Sequence, residues 1–416
     1  MQWRESENLI RGASPNFKEM LKNDPNAKDG VRSPSPGDIM KNPALATTFR
    51  TLAVEGKRGF YEGRIAEEIV RVVQDLGGYL TLDDLKYHTQ TGTQEVDAIS
   101  LKYEGQNIAE NGEASQGVEV WEHPPNGQGI VALMALGILE ALEKSGKIPK
   151  FTEAQHNSTE CLHAIIESLR IAFADGSWWI TDPDVEKVPS QELISKEYLA
   201  ERAKLFNPDK AAEILDHGSP AHNHSDTVFF AVTDKDGNGI SFINSVYEDF
   251  GSGIIPKGCG FTLQNRGANF SLKAGHPNVV APWKRPYHTI IPAMVTNISD
   301  GSLHSVYGVM GGFMQPQGHV QVLLNMLAFK HHPQAALDAP RICIAADKNA
   351  VYVEEGISSA TIEGLKKLGH PIEVLSGWKR SMFGRGQIIR CHYDDGKLVY
   401  SAGSDPRGDG MAVPVL

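Results

Sequence analysis

Residues 226–255 read DTVFFAVTDKDGNGISFINSVYEDFGSGII, and this stretch decides the fold. The β-branched and aromatic run from Thr227 to Thr233 predicts a buried strand, because only its two ends are polar. Residues 234–239 (DKDGNG) predict a tight turn, since Asp-Gly is a common signal of a β-hairpin. Residues 240–246 predict the returning strand. The stretch therefore predicts a hairpin whose first residue carries a hydroxyl group.

Helices dominate the prediction before this hairpin, and strands dominate after it. Asn42 followed by Pro43 predicts a helix start, and Thr81 with Asp84 predicts a capping box. Buried helical stripes are predicted at Leu45, Phe49 and Leu52, and at Ile65, Ile69, Val72, Val73 and Leu76. Further helices are predicted at 127–142, after a cap at Asn157, and at 316–329, with strands at 289–297, 304–310, 350–353, 387–392 and 397–402. This order predicts an α+β fold with sheets between helical layers.

Composition and charge exclude several classes of protein. The 416 residues are 41% hydrophobic and 22% charged, as in ordinary folded proteins and unlike disordered or collagenous chains. A net charge of −11 argues against a basic nucleic-acid-binding face. No apolar stretch reaches the roughly 18 residues that suggest a membrane-spanning helix. Four isolated cysteines and an N-terminal stretch without the apolar core of a signal peptide lead us to expect a cytoplasmic location.

Metal-binding and nucleotide-binding motifs are weak in this sequence. The chain lacks HExxH, GxxxxGK[ST] and GxSxG patterns. His222 with His224, and His331 with His332, could each supply two metal ligands, but neither pair has a carboxylate or cysteine partner at a suitable spacing. Solvated loop histidines are the preferred interpretation. A metal-dependent hydrolase that uses His222 and His224 stays an alternative.

Thr227 is the one residue whose position suggests catalysis. It begins a strand directly after a polar loop, as an N-terminal nucleophile would after cleavage of the preceding bond. A free α-amine has a pKa near 8, so it can accept the proton of the hydroxyl at neutral pH without a histidine. By itself the pattern is weak, because threonine is common in strands for conformational reasons.

From Pro36 onward the chain resembles the γ-glutamyltranspeptidase family of N-terminal-nucleophile hydrolases. Segments similar to that family follow one another in the family's order over roughly nine-tenths of the chain. They are residues 36–70, GGYLTLDDL at 77–85, the stretch quoted above, GFTLQNRGANFSL at 260–272, KRPYHTIIPA at 284–293, GVMGGFMQPQGHVQ at 308–321, ALDAPR at 336–341 and GSDPRGDG at 403–410. The resemblance implies the αββα sandwich of this class, with an incomplete N-terminal part.

The resemblance also implies roles for individual residues. Thr227 falls on the family's nucleophile and Asp226 on the residue before the cut. Gly311 and Gly312 fall on the paired glycines whose N–H groups hold an oxyanion, although a tight turn alone could explain them. Ser245 falls where the family keeps a hydroxyl near the nucleophile, with an ordinary strand residue as the alternative. Residues 405–407 are interpreted as a structural turn.

Several positions depart from the true transpeptidases. Arg266 and Asn269 stand where those enzymes place Gln and Asp to hold a glutamyl α-amine. Further departures lie at His288 and Thr289, in place of paired serines, and at Tyr247, in place of Asn. The pattern is closer to the subgroup with oxamate amidohydrolase. Arg266 would suit an anionic acyl group, and a surface or ion-paired arginine is the alternative.

These resemblances predict a self-processing threonine amidohydrolase without a metal or organic cofactor. Residues 1–226 correspond to the mostly helical large subunit, truncated at its start, and residues 227–416 to the small subunit, together one intertwined domain. The substrate is expected to be a small amide, oxamate-like or γ-glutamyl as in glutathione, with hydrolysis or acyl transfer as the outcome. We expect neither nucleic acid nor membrane as a partner; the two cleaved chains stay associated, and a homo-oligomer is left open. A non-catalytic binding or assembly module is the alternative.

Overall fold

The computed structural model describes residues 2–104, 117–212, 227–345 and 350–414. The chain divides into two units, the first of Met1–Val96 with Val246–Arg266 and the second of Asp97–Ser245 with Gly267–Leu416. This division reflects which parts of the chain lie close together in space, whereas the expected division at 226/227 reflects a predicted cleavage site. The cleavage-based division therefore stays a prediction.

The first unit is mainly helical. Its elements are α1 (Gln2–Glu5), α2 (Glu7–Ala13), β1 (Lys22–Asn23), β2 (Val31–Arg32), α3 (Pro43–Glu55), α4 (Arg58–Tyr61), α5 (Gly63–Asp75) and α6 (Leu82–Thr91). The Asn42 side chain accepts a hydrogen bond from the backbone N–H of Leu45, and Thr81 and Asp84 form a reciprocal capping box. Both predicted helix starts are therefore confirmed.

The predicted buried face of α3 is wrong at Phe49, whose side chain is exposed. The buried position is its neighbour Thr48, which donates a hydrogen bond to the carbonyl of Cys259. A polar residue thus faces inward because a backbone carbonyl lies within its reach. On α5 the stripe is confirmed at Ile65 and Ile69, which pack together with Cys259, and at Val72, but the prediction is wrong at Leu76, which is exposed.

The second unit contains both sheets and helices. Its strands are β3 (Ile99–Tyr103), β4 (Val118–Glu122), β5 (Thr227–Thr233), β6 (Gly239–Ser245), β7 (Ala293–Asn297), β8 (Leu303–Met310), β9 (Ile342–Ala345), β10 (Ala350–Glu354), β11 (Ile372–Leu375), β12 (Arg385–Asp394) and β13 (Lys397–Ser404). Its helices are α7 (Gly129–Lys144), α8 (Thr159–Trp179), α9 (Ser190–Leu193), α10 (Lys196–Ala203), α11 (Met314–Leu327), α12 (Pro333–Asp338) and α13 (Ser359–Lys367).

The main sheet of this unit has six antiparallel strands in the order β13-β12-β8-β7-β4-β3. A second sheet, β11-β10-β9, pairs β10 parallel with β11 and antiparallel with β9. The hairpin β5–β6 forms a separate two-stranded sheet. None of the described helices is long and apolar enough to cross a membrane.

Strand β8 lies between two layers. A Cβ atom on Gly318 of α11 would lie 2.6 Å from the Val309 side chain, so α11 packs on that side of the strand. A Cβ atom on Gly308 would lie 2.5 Å from the Phe229 ring, so β5 packs on the other side, because successive residues of a strand face opposite ways. The second unit therefore stacks a helical layer, the six-stranded sheet and the hairpin.

The predicted hairpin is confirmed: β5 has the predicted bounds, and β6 begins and ends one residue earlier than predicted. Thr227 lies opposite Ser245, and the pairing continues to Thr233 opposite Gly239. The strand is buried on one face only, and its outer face is exposed. The exposed side chains of that face are Val228, Phe230, Val232, Ile240 and Phe242. A continuous apolar run therefore did not mean burial on both faces in the described structure.

Other predicted elements are found with shifted ends. The helix expected after a cap at Asn157 begins after Ser158, whose side chain accepts from the N–H of Cys161. The predicted strand at 289–297 begins only at Ala293. The sequence interpretation missed the following elements: α1, α2, β1, β2, α4, β3, β4, α9, α10, α12, β9, α13 and β11.

The contact of Gly308 with Phe229 gives a test of the layer packing. Gly308→Ala should lower the free energy of unfolding by about 1–3 kcal/mol, because the added methyl group has no room beside the ring. The urea midpoint measures this change.

Gly12→Ala is the matched control. Gly12 lies inside α2, and nothing lies within 4 Å of the position of its missing Cβ. The change should be neutral or stabilising by up to about 1 kcal/mol, because alanine favours helix. Equal midpoints for the two variants would contradict close packing of β5 on β8.

Candidate active site

Thr227 is the first described residue after the 213–226 segment and opens β5. It is 1% exposed and alternates with buried Phe229, so both side chains lie on the face of β5 that packs on β8. Ser245 is its cross-strand partner. The structure therefore brings these two predicted site residues together. Asp226, like His222 and His224, lies outside the described residues.

The register of the hairpin on β8 aligns Thr227 with the end of that strand. Near the turn, a Cβ atom on Gly239 would lie 2.7 Å from Val306 and 2.9 Å from Leu303. Farther along the hairpin, Phe229 covers Gly308. From Phe229 toward the start of β5 the next residue on the same face is Thr227, and from Gly308 β8 continues in the same direction to its carboxyl end. Both strands advance by about 3.3 Å per residue, so Thr227 is aligned with that end.

Gly311 and Gly312 directly follow β8 and have φ angles of 135° and 58°. Both values favour glycine, because a side chain would clash in these backbone conformations. Gly311 is also packed, since a Cβ atom there would lie 3.2 Å from the Cα of Gly384. The two carbonyls accept hydrogen bonds from the N–H groups of Met314 and Gln315 at 3.0 and 3.1 Å.

The N–H groups of Gly311 and Gly312 donate no hydrogen bond to any residue that the structure describes. Backbone donors without a protein partner, held on a rigid turn, are suited to binding an oxyanion. This observation favours the oxyanion interpretation of the pair over a turn alone, because a merely structural turn has no need of unused donors.

A buried amide that the sequence interpretation missed connects two of the predicted site segments. The side-chain nitrogen of Gln128 donates to the carbonyl of Gly312 at 2.8 Å and to that of Thr289 at 3.3 Å. Its side-chain oxygen accepts from the Tyr287 hydroxyl at 2.9 Å. Gln128 is fully buried. It lies within the predicted helix at 127–142, whereas the observed helix α7 begins at Gly129, and no sequence signal marked it.

The segment with His288 and Thr289 is held by backbone contacts. The N–H of Gln128 donates to the carbonyl of His288, and the N–H of His288 donates to that of Asn126. Thr289 is fully buried, and its hydroxyl has no hydrogen-bond partner among the described residues. A buried hydroxyl without a protein partner is available to a ligand.

Asn269 is also buried, and its carbonyl accepts a hydrogen bond from the Asn278 side chain at 2.7 Å. Asn278 in turn accepts from the N–H of Tyr287. The side-chain nitrogen of Asn269 has no partner in the described part of the chain. Asn278 thus links the Asn269 and Tyr287 segments.

Arg266 and Tyr247 belong to the first unit and contact each other. The Arg266 guanidinium lies 5.8 Å from the centre of the Tyr247 ring, which is buried. Burial lowers the pKa of Arg266 to about 10, so the side chain stays charged at neutral pH. Tyr247 has a φ of 85°, a conformation in which bulky residues are rare.

A buried ion-pair network lies behind the glycine turn. Arg341 donates to Asp405 at 2.7 Å and to the carbonyl of Phe383 at 2.9 Å. Asp405 also accepts from the N–H of Gly386, and Arg407 is paired with both Asp405 and Glu354. The network fixes the backbone around Gly384, the residue that packs on Gly311. Residues 405–407 thus have the structural role expected for them.

One group of potential metal ligands occurs in the described structure. His163, Glu167 and His370 are buried with their ligand atoms close together. The two rings are 2.7 Å apart between Nδ1 of His163 and Nε2 of His370, a hydrogen-bond distance. Two nitrogens bound to one zinc ion would lie about 3.3 Å apart, given metal–nitrogen bonds of about 2.0–2.1 Å. The group is therefore arranged as a hydrogen-bonded pair, while His331 packs against the His156 ring.

Comparison with solved structures identifies the class of fold. The cephalosporin acylase of Bacillus halodurans matches with a TM-score of 0.81 and 36% identity, over 98% of this chain and 69% of that one. The fold is that of the N-terminal-nucleophile hydrolases, so the predicted α+β, αββα class is confirmed.

Sequence comparison identifies the family within this class of fold. The gamma-glutamyltranspeptidase profile matches residues 1–415, and the chain belongs to this family. The glutathione hydrolase-like YwrD proenzyme of Bacillus subtilis is 34% identical over 92% of this chain and 68% of its own length. The oxamate amidohydrolase proenzyme of Klebsiella pneumoniae is 32% identical over 91% of this chain and 66% of its own. The chain thus spans about two thirds of the length of these relatives.

Loss of the Asp405 charge should destabilise the protein. Asp405→Asn would leave Arg341 buried without its counter-charge, which costs about 3–5 kcal/mol of unfolding free energy. Burial alone would raise the pKa of Asp405, but Arg341 and Arg407 outweigh it and lower the pKa. A lowered pKa means that the carboxylate stabilises the fold above its unfolded pKa of about 3.9 and loses this effect in more acidic solution. The difference between the urea midpoints of wild type and variant should therefore shrink below about pH 4.

Glu201→Gln provides the control, because Glu201 forms an exposed pair with Lys204 at 2.6 Å. Such pairs contribute about 0–1 kcal/mol. An Asp405→Asn variant no less stable than this control would show that the buried network does not support the glycine turn.

Proposed function

We propose that the protein is a self-processing threonine amidohydrolase. The observation that carries the proposal is the placement of buried Thr227 toward the end of β8, next to which Gly311 and Gly312 keep unused N–H donors. A nucleophile and an oxyanion site are the two parts that amide cleavage needs. The proenzyme names of the relatives support the self-processing step.

Processing begins with attack of the Thr227 hydroxyl oxygen on the carbonyl carbon of residue 226. The C–N bond breaks, the nitrogen takes up a proton, and an ester to the Thr227 oxygen forms. Water then hydrolyses this ester and releases the carboxyl group of residue 226. The product is a chain that begins with Thr227 and carries a free α-amine.

Catalysis uses the same hydroxyl with the new amine as base. The amine accepts the hydroxyl proton while the oxygen attacks the substrate amide, and the oxyanion that forms is held by the N–H groups of Gly311 and Gly312. The amine then gives its proton to the leaving nitrogen, and an acyl-enzyme ester forms. Water completes hydrolysis, and an amino acceptor in its place completes transfer.

The charge of Arg266 favours an anionic acyl group without an ammonium. Its half-buried guanidinium stays protonated at neutral pH, and a carboxylate would form a charge-assisted hydrogen bond with it. The oxamate amidohydrolase relative supports this substrate class. A γ-glutamyl amide such as glutathione is the second candidate, since several relatives are named glutathione hydrolases.

A binding or assembly module without catalysis is less well supported. Such a module would keep the fold for its packing alone. It would have no use for two glycine N–H groups without a described partner beside a buried threonine.

Cleavage before Thr227 is the first test of the function. The purified chain should give two bands on a denaturing gel, of about 25 and 21 kDa in proportion to the lengths of 1–226 and 227–416. Thr227→Ala should give one full-length band, because it removes the attacking hydroxyl.

Thr227→Ser is the control, since serine keeps the hydroxyl and should still cleave, though at a different rate. An active wild-type protein that stays in one piece would contradict processing. Cleavage of Thr227→Ala at the same bond would assign the attack to another group.

Substrate preference tests the roles of Arg266 and Asn269. The wild-type protein should have a higher kcat/KM for oxamate than for γ-glutamyl anilides, because the glutamyl ammonium would face a cation. The variant Arg266→Gln/Asn269→Asp should shift the ratio toward the glutamyl substrate by about two orders of magnitude. This estimate follows from about 3–5 kcal/mol for an unpaired buried charge and 1.4 kcal/mol for each tenfold change.

Arg58→Gln serves as the matched control, because Arg58 is highly exposed and its nearest acidic partner is 3.9 Å away. It removes one positive charge, as Arg266→Gln does, and should leave the ratio unchanged. A wild-type preference for the glutamyl substrate, or an unchanged ratio in the double variant, would show that these positions do not select the substrate.

A further inference from the structure

We propose that Gln128 is the positioning residue of the oxyanion turn: its side-chain amide orients Gly312 and ties it to the segment with Thr289. This inference rests on the proposed function, since it assigns Gln128 a part in that same reaction. Nothing in the sequence pattern pointed to this residue. The three side-chain hydrogen bonds of Gln128 carry the proposal.

The contacts of Gln128 permit only one orientation of its amide. The nitrogen faces two carbonyl oxygens, those of Gly312 and Thr289, and the oxygen faces the Tyr287 hydroxyl. The reversed amide would place its oxygen against both carbonyls, where no donor is available. Because the residue is fully buried, water cannot replace these partners.

The carbonyl of Gly312 depends on this amide for its second hydrogen bond. The N–H of Gln315 supplies the first, from the beginning of α11. Glycine has no side chain to restrict its backbone torsions, so hydrogen bonds must fix them. With both bonds present, the orientation of the peptide that follows Gly312 is fixed. The torsion angles of Gly312 are thereby restricted, and with them the direction of its own N–H group.

The second carbonyl on the same nitrogen belongs to Thr289. Thr289 falls on one of the family's paired serines, and its buried hydroxyl, without a described protein partner, is available to a substrate. One amide therefore holds both the donors that stabilise the oxyanion and the segment that receives the acyl group. A shift of about 1 Å between such groups can lower the rate by about two orders of magnitude.

The first experiment separates kcat from KM. Gln128→Met keeps the approximate length and volume of the side chain and removes its hydrogen bonds. We expect kcat for the preferred amide to fall by at least about tenfold, because the oxyanion donors lose their alignment. KM should change by less than about threefold, since the carboxylate of the substrate is assigned to Arg266, and the Thr289 segment loses only the longer of the two carbonyl bonds, at 3.3 Å.

The second experiment uses pH to restore the missing donor. In Gln128→Glu, a carboxylate would face two carbonyl oxygens, and this repulsion together with burial raises its pKa. The protonated acid can donate to one carbonyl while its other oxygen accepts from Tyr287. The rate of Gln128→Glu relative to wild type should therefore be higher at about pH 5.5 than at about pH 8.

Tyr307→Phe is the matched control. Tyr307 is fully buried, and its hydroxyl has no hydrogen-bond partner within the described residues. Removing this hydroxyl should leave kcat unchanged. Tyr287→Phe, which removes the donor to Gln128, should lower kcat, and combined with Gln128→Met it should cost little more than Gln128→Met alone.

The outcomes separate this inference from the proposed function. If wild type cleaves amides and Thr227→Ala does not, the proposed function holds, and an unchanged kcat in Gln128→Met overturns only the positioning role. If Gln128→Met does not fold, the pH dependence of Gln128→Glu decides, and a relative rate that is flat with pH overturns the role. If wild type is neither processed nor active, both proposals fail together.

Discussion

The contact between Phe229 and Gly308 is the constraint on which the site depends. It lets the hairpin lie close to β8, because glycine leaves room for the aromatic ring. The same contact fixes how far the hairpin can slide along the strand. Since Thr227 lies two residues from Phe229, and Gly311 three residues from Gly308, fixing one pair sets the other. The proposed nucleophile on one layer is thereby aligned with the glycine N–H groups that follow a strand of another layer.

Glutamine side chains hold the backbone where regular pairing ends. On α11, Gln317 and Gln321 each donate to and accept from the backbone of β9, an edge strand, at Ile344 and Ile342. Gln315 accepts from the N–H of Ile291, and Gln128 bonds the carbonyls around the oxyanion turn. A neutral amide can satisfy a buried donor and acceptor at once without the desolvation cost of a charge.

Local signals predicted the capped helix starts and the hairpin, and tertiary contacts account for the error in the buried face of α3. Asn42 and the Thr81–Asp84 box act within one turn, so their roles could be read directly. Thr48 is buried instead of Phe49 because the carbonyl of Cys259, which is distant in sequence, accepts a hydrogen bond from the Thr48 hydroxyl. The hairpin was predicted from its β-favouring run and Asp-Gly turn, and the roles of Thr227 and the glycine pair through family resemblance. Gln128, in contrast, depends on three contacts from distant segments. No sequence period encodes such contacts.

In the proposed mechanism, Thr227 and the glycine N–H groups take part in two reactions, processing and catalysis. In processing, the carbonyl attacked by Thr227 belongs to the preceding residue, and in catalysis it belongs to the substrate. Both reactions develop negative charge on a carbonyl oxygen attacked by the Thr227 hydroxyl, so donors near that hydroxyl suit both. Processing occurs once per chain, and a slow step there delays maturation without limiting turnover. Catalysis repeats the step, so in the proposed mechanism the hydrogen bonds of Gln128 to the glycine turn matter for turnover more than for processing.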